Sequence, residues 1–155
     1  MNDMKTDVEQ SCQHGYNDDF YEYNRSLTQY PAKRIVDILT ELLPVDSVLD
    51  VGCGAGVWLQ EWGRHGARRL FGLDGRPEDG FERPYEGGYR QVNLAEGFQT
   101  DEKFDLAQCL EVAEHLPKDA GPRIVESLVA ASDAVFFSAA SVGQGGEHHV
   151  NERPL

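Results

Sequence analysis

The chain has 155 residues, with 14 Lys and Arg against 27 Asp and Glu, and a formal net charge of −13. That length gives one domain with room for a core, and the acidic balance argues against a broad phosphate-binding face, and so against nucleic acid as a partner. No apolar run approaches the roughly 18 residues of a membrane span, the first residues lack the basic-then-apolar layout of a signal peptide, and the scattered Cys12, Cys53 and Cys109 read as reduced thiols of a cytoplasmic protein.

Residues 1–15 are polar and irregular and read as a mobile tail. Residues 16–44 read as a helical cap. Its first part carries Tyr16, Phe20, Tyr21, Tyr23 and Tyr30, and is expected to form a short helix that lies over a binding mouth or packs on the core edge. Pro31 then opens a second helix with Ile35, Ile38, Leu39 and Leu42 at helical spacing, which Pro44 ends. From residue 45 to 140, strands and helices alternate. Strands are predicted near 47–51, 69–73, 89–93, 104–109 and 134–138, and helices near 57–65 and 119–131. The segment 75–88, with Gly75, Pro77, Gly80, Pro84, Gly87 and Gly88, reads as a loop. This order predicts an α/β fold, a Rossmann-like, doubly wound, mostly parallel sheet with helices on both faces. In such sheets ligands sit at the carboxyl ends of the strands, at the switch point.

Three motifs fall at those ends. In Val48-Leu49-Asp50-Val51-Gly52-Cys53-Gly54-Ala55-Gly56-Val57 an apolar strand ends in an acid and opens into three alternate glycines. Such a turn lets the backbone approach a nucleoside-type cofactor where a side chain would collide with it. The dinucleotide fingerprint wants Gly-x-Gly-x-x-Gly, and Val57 stands where its last glycine would be. The second strand ends in Asp74, roughly 20 residues on, where a carboxylate can accept from the ribose hydroxyls of either kind of adenosine cofactor. The third motif runs from the strand Phe104–Cys109 into Leu110-Glu111-Val112-Ala113-Glu114-His115-Leu116-Pro117. If a helix begins near Glu111, then Glu111 and His115 share one face with Glu114 beside them. The segment 143–152 adds His148 and His149 after the fifth strand. Glu111, Glu114, His115 and His149 together form a conceivable divalent-metal site. His149, or less favourably His148, is alternatively a general base for an acceptor hydroxyl or amine. Trp58 and Trp62 read as packing, His14 and His65 as surface residues without companions, and Arg64 to Arg69 as a solvated helix end.

In this order and over roughly residues 45–140, the three motifs resemble those of the class I S-adenosylmethionine (SAM)-dependent methyltransferases. The resemblance implies SAM as cofactor and S-adenosylhomocysteine (SAH) as product. It implies that Asp50 faces the amino end of SAM, that Gly52, Cys53, Gly54 and Gly56 admit the methionine part, and that Asp74 and Gly75 hold the ribose. Asn93 and Leu94 would contact adenine, with Cys109, Leu110 and Glu111 beside the sulfonium. Tyr21, Glu114 and His115 would line the acceptor side. Glu-x-x-Glu-His with a distant His also resembles metal-dependent 2′-O-methyltransferases of small-RNA ends, and Glu-Val-x-Glu-His resembles quinone-precursor methyltransferases. The same run is widespread in metal-free members, where it shapes the acceptor pocket. Gly-Gly-x-x-His-x-Asn-Glu, ending at Glu152, looks like loops of small-metabolite methyltransferases.

The expected function is methyl transfer to an O or N atom of a small molecule, without a metal. Metal-assisted RNA 2′-O-methylation and a SAM-binding domain without catalytic activity are the alternatives; the glycine spacing disfavours a nicotinamide oxidoreductase. Complete family members carry two further strands as an antiparallel hairpin. Here only an acceptor-side loop, residues 141–155, follows the fifth strand. The chain is therefore expected to lack those strands and to be a portion of a longer protein, and the uncovered sheet edge makes a homodimer conceivable.

Overall fold

The computed structural model describes residues 18–78, 83–146 and 148–152, and of residues 18–26 only the backbone. Its elements are α1 (Asp18–Leu42), β1 (Ser47–Val51), α2 (Val57–Arg64), β2 (Arg69–Asp74), β3 (Gly88–Gln91), β4 (Leu106–Leu110), α3 (Ala120–Ala131) and β5 (Val135–Ser138). Single 3-10 turns lie at Leu94–Glu96 and Ala113–His115. The strands form one sheet in the order β3-β2-β1-β4-β5, and every pairing is parallel. The chain moves outward from β1 to β3 and then returns to β4 on the other side of β1. The crevice of a doubly wound sheet therefore opens at the carboxyl ends of β1 and β4.

All five residues of β1 are buried, as a central parallel strand covered on both faces requires. One face carries Leu49, Val51, Leu73 and Cys109 and packs against Ile124, Leu128 and Ala131 of α3. The other carries Val48, Leu70 and Leu106 against Val36 of α1 and Leu59 and Trp62 of α2. In α3 the buried residues Ala120, Ile124, Leu128 and Ala131 recur at helical spacing, which makes one apolar stripe. At the opposite end of the sheet Asp105 ties β1 to β4: its Oδ2 accepts from the backbone N–H of Asp46 and Ser47 and from the Ser47 hydroxyl.

Two expectations change here. The cap is one helix, not two, and Pro31 lies inside it. A proline inside a helix loses its N–H bond and crowds the carbonyl four residues earlier; packing of Ala32 and Val36, both fully buried, holds the segment to the core. Tyr30 is 74% exposed, so it covers no core edge. Tyr21 has its side chain outside the description, and residues 1–15 lie outside the described residues. His65 is not companionless: its ring nitrogens contact the Glu61 carbonyl at 2.9 Å and Asp37 Oδ1 at 2.8 Å. It thereby joins α2 to α1.

Truncating the buried Leu128 to Ala removes atoms from the α3 contact and leaves a cavity. The expected cost is about 2–5 kcal/mol, read as a lower urea midpoint with an unchanged slope.

Candidate cofactor and acceptor site

The glycine turn is built from backbone that other residues adopt only under strain. Gly52, Gly54 and Gly56 have φ of 78°, 52° and 75°, and a Cβ on Gly52 would run into the Val112 side chain. The turn is held by the neighbouring strand. Gly52 and Cys53 donate their N–H groups to the Leu73 carbonyl at 2.7 and 3.1 Å. Gly54 donates to Asp74 Oδ2 at 2.8 Å, and Arg76 N–H to Asp74 Oδ1 at 3.0 Å. Asp74 thus braces the loop, a role its sequence position did not reveal. Each of its oxygens keeps a lone pair for a further donor, so a ribose could still bind there. Gly75 contributes a carbonyl that accepts from Gln91 Nε2.

Asp50 lies beneath this loop, 3% exposed, in register with Gly72 on one side and Gln108 on the other. Burial pushes its pKa up to about 7, and the Asp74 charge adds to the shift. The Gln108 amide beside it opposes the rise, although Asp50 Oδ2 and Gln108 Nε2 complete no well-formed hydrogen bond. Gln108 Oε1 accepts from the Trp62 indole N–H at 2.8 Å. Trp62 is therefore core packing with one polar task, as its helical position suggested for the packing half. Cys53 and Cys109 are buried free thiols, and burial raises both thiol pKa values. They offer backbone and bulk at the site rather than a nucleophile.

The adenine expectation meets a competing bond. Asn93 caps the 3-10 turn: its Oδ1 accepts from Ala95 N–H at 3.2 Å and its Nδ2 donates to Glu96 Oε1 at 2.8 Å. Leu94 is part of the apolar core. The cap uses one lone pair and one N–H of the Asn93 amide, which leaves a second of each for a further partner.

On the β4–β5 side the expected helix at Glu111 does not form. Glu111 has φ of 55°, and the chain turns instead through the short 3-10 segment. The Glu111 carboxylate faces β5, accepting from the Ser138 hydroxyl at 2.7 Å. Among the described residues, the group able to surround a cation is Glu114, His115 and His149, with one ligand atom each, all within 4.8 Å of one another. Glu111 is outside it. The four-residue set that the sequence made conceivable does not assemble with Glu111 in it, because the left-handed residue at 111 breaks the helical register that set assumed.

Glu114 is fully buried and anchors this side. Its Oε1 accepts from Ala140 N–H at 3.1 Å, and its carbonyl accepts from Val150 and Asn151 N–H at 2.9 and 3.0 Å. Asn151 Nδ2 also donates to the Ala113 carbonyl. These bonds strap residues 150–151 onto the turn and set the His149 ring edge-on to His115, 4.9 Å between centroids. Glu114 Oε2 has no partner among the described residues. His149 Nδ1 lies 3.0 Å from Glu152 Oε1, and Glu152 also accepts from Gly143 and Gly145 N–H. Burial lowers the His115 pKa. His148 has φ of 62° and stands outside the cation-competent group. A cavity of about 490 Å³ opens beside the turn, bordered by Ala113, Pro122, Val125, Phe137, Ala140 and Asn151. Sequence reasoning gave Glu152 and Gln108 no role. The offset of three between His149 and Glu152 was a usable signal for the first; nothing in sequence marked the second.

The raised Asp50 pKa makes a stability prediction. Its folded value, about 7, exceeds the unfolded value of about 3.9, so the native state binds the extra proton. That contribution is complete below the unfolded value and is lost as pH rises through about 7. Asp50→Asn removes the titration. Its melting temperature should exceed that of the native sequence by several degrees more at pH 8 than at pH 5. Equal differences at both pH values would contradict the raised pKa.

Known proteins resemble this chain in family and in fold. The family described as "Methyltransferase domain" matches residues 22–136. The "Ubiquinone biosynthesis O-methyltransferase" of Aeromonas salmonicida is 32% identical over 100 residues, covering 59% of this chain and 42% of that protein. Its namesake from Hahella chejuensis is 33% identical over 105 residues, covering 62% and 44%. The chain thus spans less than half the length of these curated relatives. Among solved structures, magnesium protoporphyrin IX methyltransferase from Synechocystis PCC 6803 with bound SAH superposes with a TM-score of 0.62 at 18% identity, over 98% of this chain and 80% of that one. DesVI of Streptomyces venezuelae gives 0.65 at 16% identity, over 84% and 61%. A family match across most of the chain, on a sheet of this order, makes it a member of the class I SAM-dependent methyltransferases, whose cofactor is SAM.

Proposed function

We propose that this chain binds SAM and transfers its methyl group to a hydroxyl oxygen of a small-molecule acceptor. The observation that carries the reading is convergence: the glycine turn with Asp74, and the Glu114–His115–His149–Glu152 group, both occupy the carboxyl ends of the parallel strands. SAM needs little activation, because its sulfonium is already a good leaving group. The task is to hold the methyl in line with an oxygen lone pair. Gly52, Gly54 and Gly56 admit the methionine part, and Asp74 takes the ribose. His149, backed by Glu152, accepts the acceptor's hydroxyl proton. The freed lone pair forms the O–CH3 bond, the S–CH3 bond breaks, and SAH leaves. The cavity of about 490 Å³ beside the turn suits an apolar or aromatic acceptor body. The names of the curated relatives favour oxygen over nitrogen, and the net charge of −13 disfavours RNA.

A second reading rests on the unpartnered Glu114 Oε2 beside His115 and His149. One carboxylate and two imidazoles suit a divalent transition metal, and Glu152 on His149 would orient that ligand. A metal there would lower the pKa of the acceptor hydroxyl in place of a base. The chain's own residues would then hold and orient the ion.

Titration calorimetry with SAM and SAH should show saturable binding, weakened at least about tenfold in Asp74→Ala through loss of charge-assisted bonds. No binding by the folded native chain would sink the proposal. A methyl-transfer assay on a panel of phenols should lose about 100-fold or more in kcat with His149→Ala, SAM affinity being unchanged. Dialysis against a chelator separates the readings: unchanged turnover supports the base, and loss restored by manganese or magnesium supports the metal. A chain that binds SAM but methylates nothing would be a binding domain.

A further inference from the structure

Three buried side-chain atoms lack a hydrogen-bond partner among the described residues: Asp50 Oδ2, Gln108 Nε2 and Glu114 Oε2. The last belongs to the acceptor-side group. The first two face each other across the sheet without completing a hydrogen bond. Asp50 and Gln108 stand directly opposite in the β1–β4 ladder, and strand alternation puts both on the face that carries Val48 and Leu106. There the Trp62 indole N–H, which can only donate, holds Gln108 Oε1. That contact decides which end of the amide is oxygen. It leaves the NH2 end for the remaining polar neighbour, the Asp50 carboxyl.

On the other side of Asp50, no cation among the described residues lowers its pKa. Gly72 of β2 stands beside it, and Cys53 and the Tyr85 hydroxyl fill the space above that glycine. Both feel the Asp50 charge, as does Cys109 of β4, and Asp74 adds a second negative charge. None of these groups is a cation, and Arg83, which lowers the Cys53 and Tyr85 pKa values, does not act on Asp50. A buried carboxylate so placed is costly when ionised and has one oxygen unused. It lies directly beneath the loop that the cofactor must meet.

We propose that Gln108, its amide oriented by Trp62, is a positioning residue that keeps the Asp50 carboxylate ionised and aimed at the positively charged amino group of SAM. The proposal rests on the SAM-binding reading above. Without a cationic ligand, Asp50 shares its proton near neutrality; with Gln108 removed, its pKa rises further. Affinity for SAM should therefore increase as pH rises through about 7 in the native chain, until the ligand's own amino group begins to lose its proton near pH 8. Losing the Gln108 amide, which lowers the Asp50 pKa, should move that rise upward.

The test is calorimetry between pH 5.5 and 7.5 with two ligands, SAM and 5′-methylthioadenosine, which keeps the nucleoside and sulfur but lacks the amino-acid part. The variants are the nearly isosteric Gln108→Met, Trp62→Phe and the double variant. Gln108→Met should bind SAM about tenfold more weakly at pH 6.5, as a roughly tenfold smaller ionised fraction of Asp50 implies. It should bind 5′-methylthioadenosine within about twofold of the native chain, and its SAM affinity should rise about one pH unit later. Trp62→Phe should shift both readouts in the same direction, and the double variant should lose no more than Gln108→Met alone, as coupled residues do. Equal weakening of both ligands, an unmoved pH midpoint, or additive losses would each overturn the proposal. If Gln108→Met melts below the working temperature, Trp62→Phe carries the same ligand split and pH readout. A native chain that binds 5′-methylthioadenosine but gains nothing from the amino-acid part sinks this proposal alone. One that binds neither sinks the SAM reading with it.

Discussion

The left-handed glycine turn that leaves β1 exists because β2 accepts its N–H groups. Gly52 and Cys53 reach the Leu73 carbonyl, and Gly54 reaches the Asp74 carboxylate. These bonds compensate donors that the turn takes out of the sheet ladder. They also fix the height of the loop against the end of β2. Everything on the cofactor side depends on this: the start of α2 at Gly56, the placement of Asp74, and the burial of Asp50 beneath the turn. Glycine is required at 52 because the space for a side chain already belongs to Val112.

The acceptor side is organised by a different carboxylate. Glu114 lies in the 3-10 turn after β4 and is satisfied from the chain beyond β5: Ala140 N–H on one carboxyl oxygen, Val150 and Asn151 N–H on its backbone carbonyl. A buried carboxyl of this kind is tolerable only when hydrogen-bonded. Its half-finished satisfaction, with Oε2 unpartnered beside two imidazoles, concentrates polar chemistry in an otherwise apolar wall. The residue in between, Glu111, takes a left-handed conformation that few side chains favour. It reverses the chain sharply enough for the 3-10 turn to meet the strap.

Acidic groups dominate the site as they do the chain, yet they differ in task. Asp74 is braced by backbone donors, Asp50 is buried beside a lone amide, and Glu152 is paired with an imidazole and two backbone N–H groups. Burial and donor count, rather than residue type, separate them.

Much of this was legible in the residues. Alternating strand and helix patterns, the Asp-x-Gly-x-Gly-x-Gly turn and the acid at position 74 determined the parallel α/β fold and the end of the sheet where a cofactor belongs, because strand periodicity and glycine backbone freedom are local properties. The continuation of α1 through Pro31 and the break of helical register at Glu111 were decided by tertiary packing, which overrides local propensity. So were the meeting of His149 with His115 and of Gln108 with Asp50 and Trp62. Those contacts join segments far apart in the chain. Only the order in which parallel strands lie side by side, and the need of each buried polar group for a partner, could bring them together.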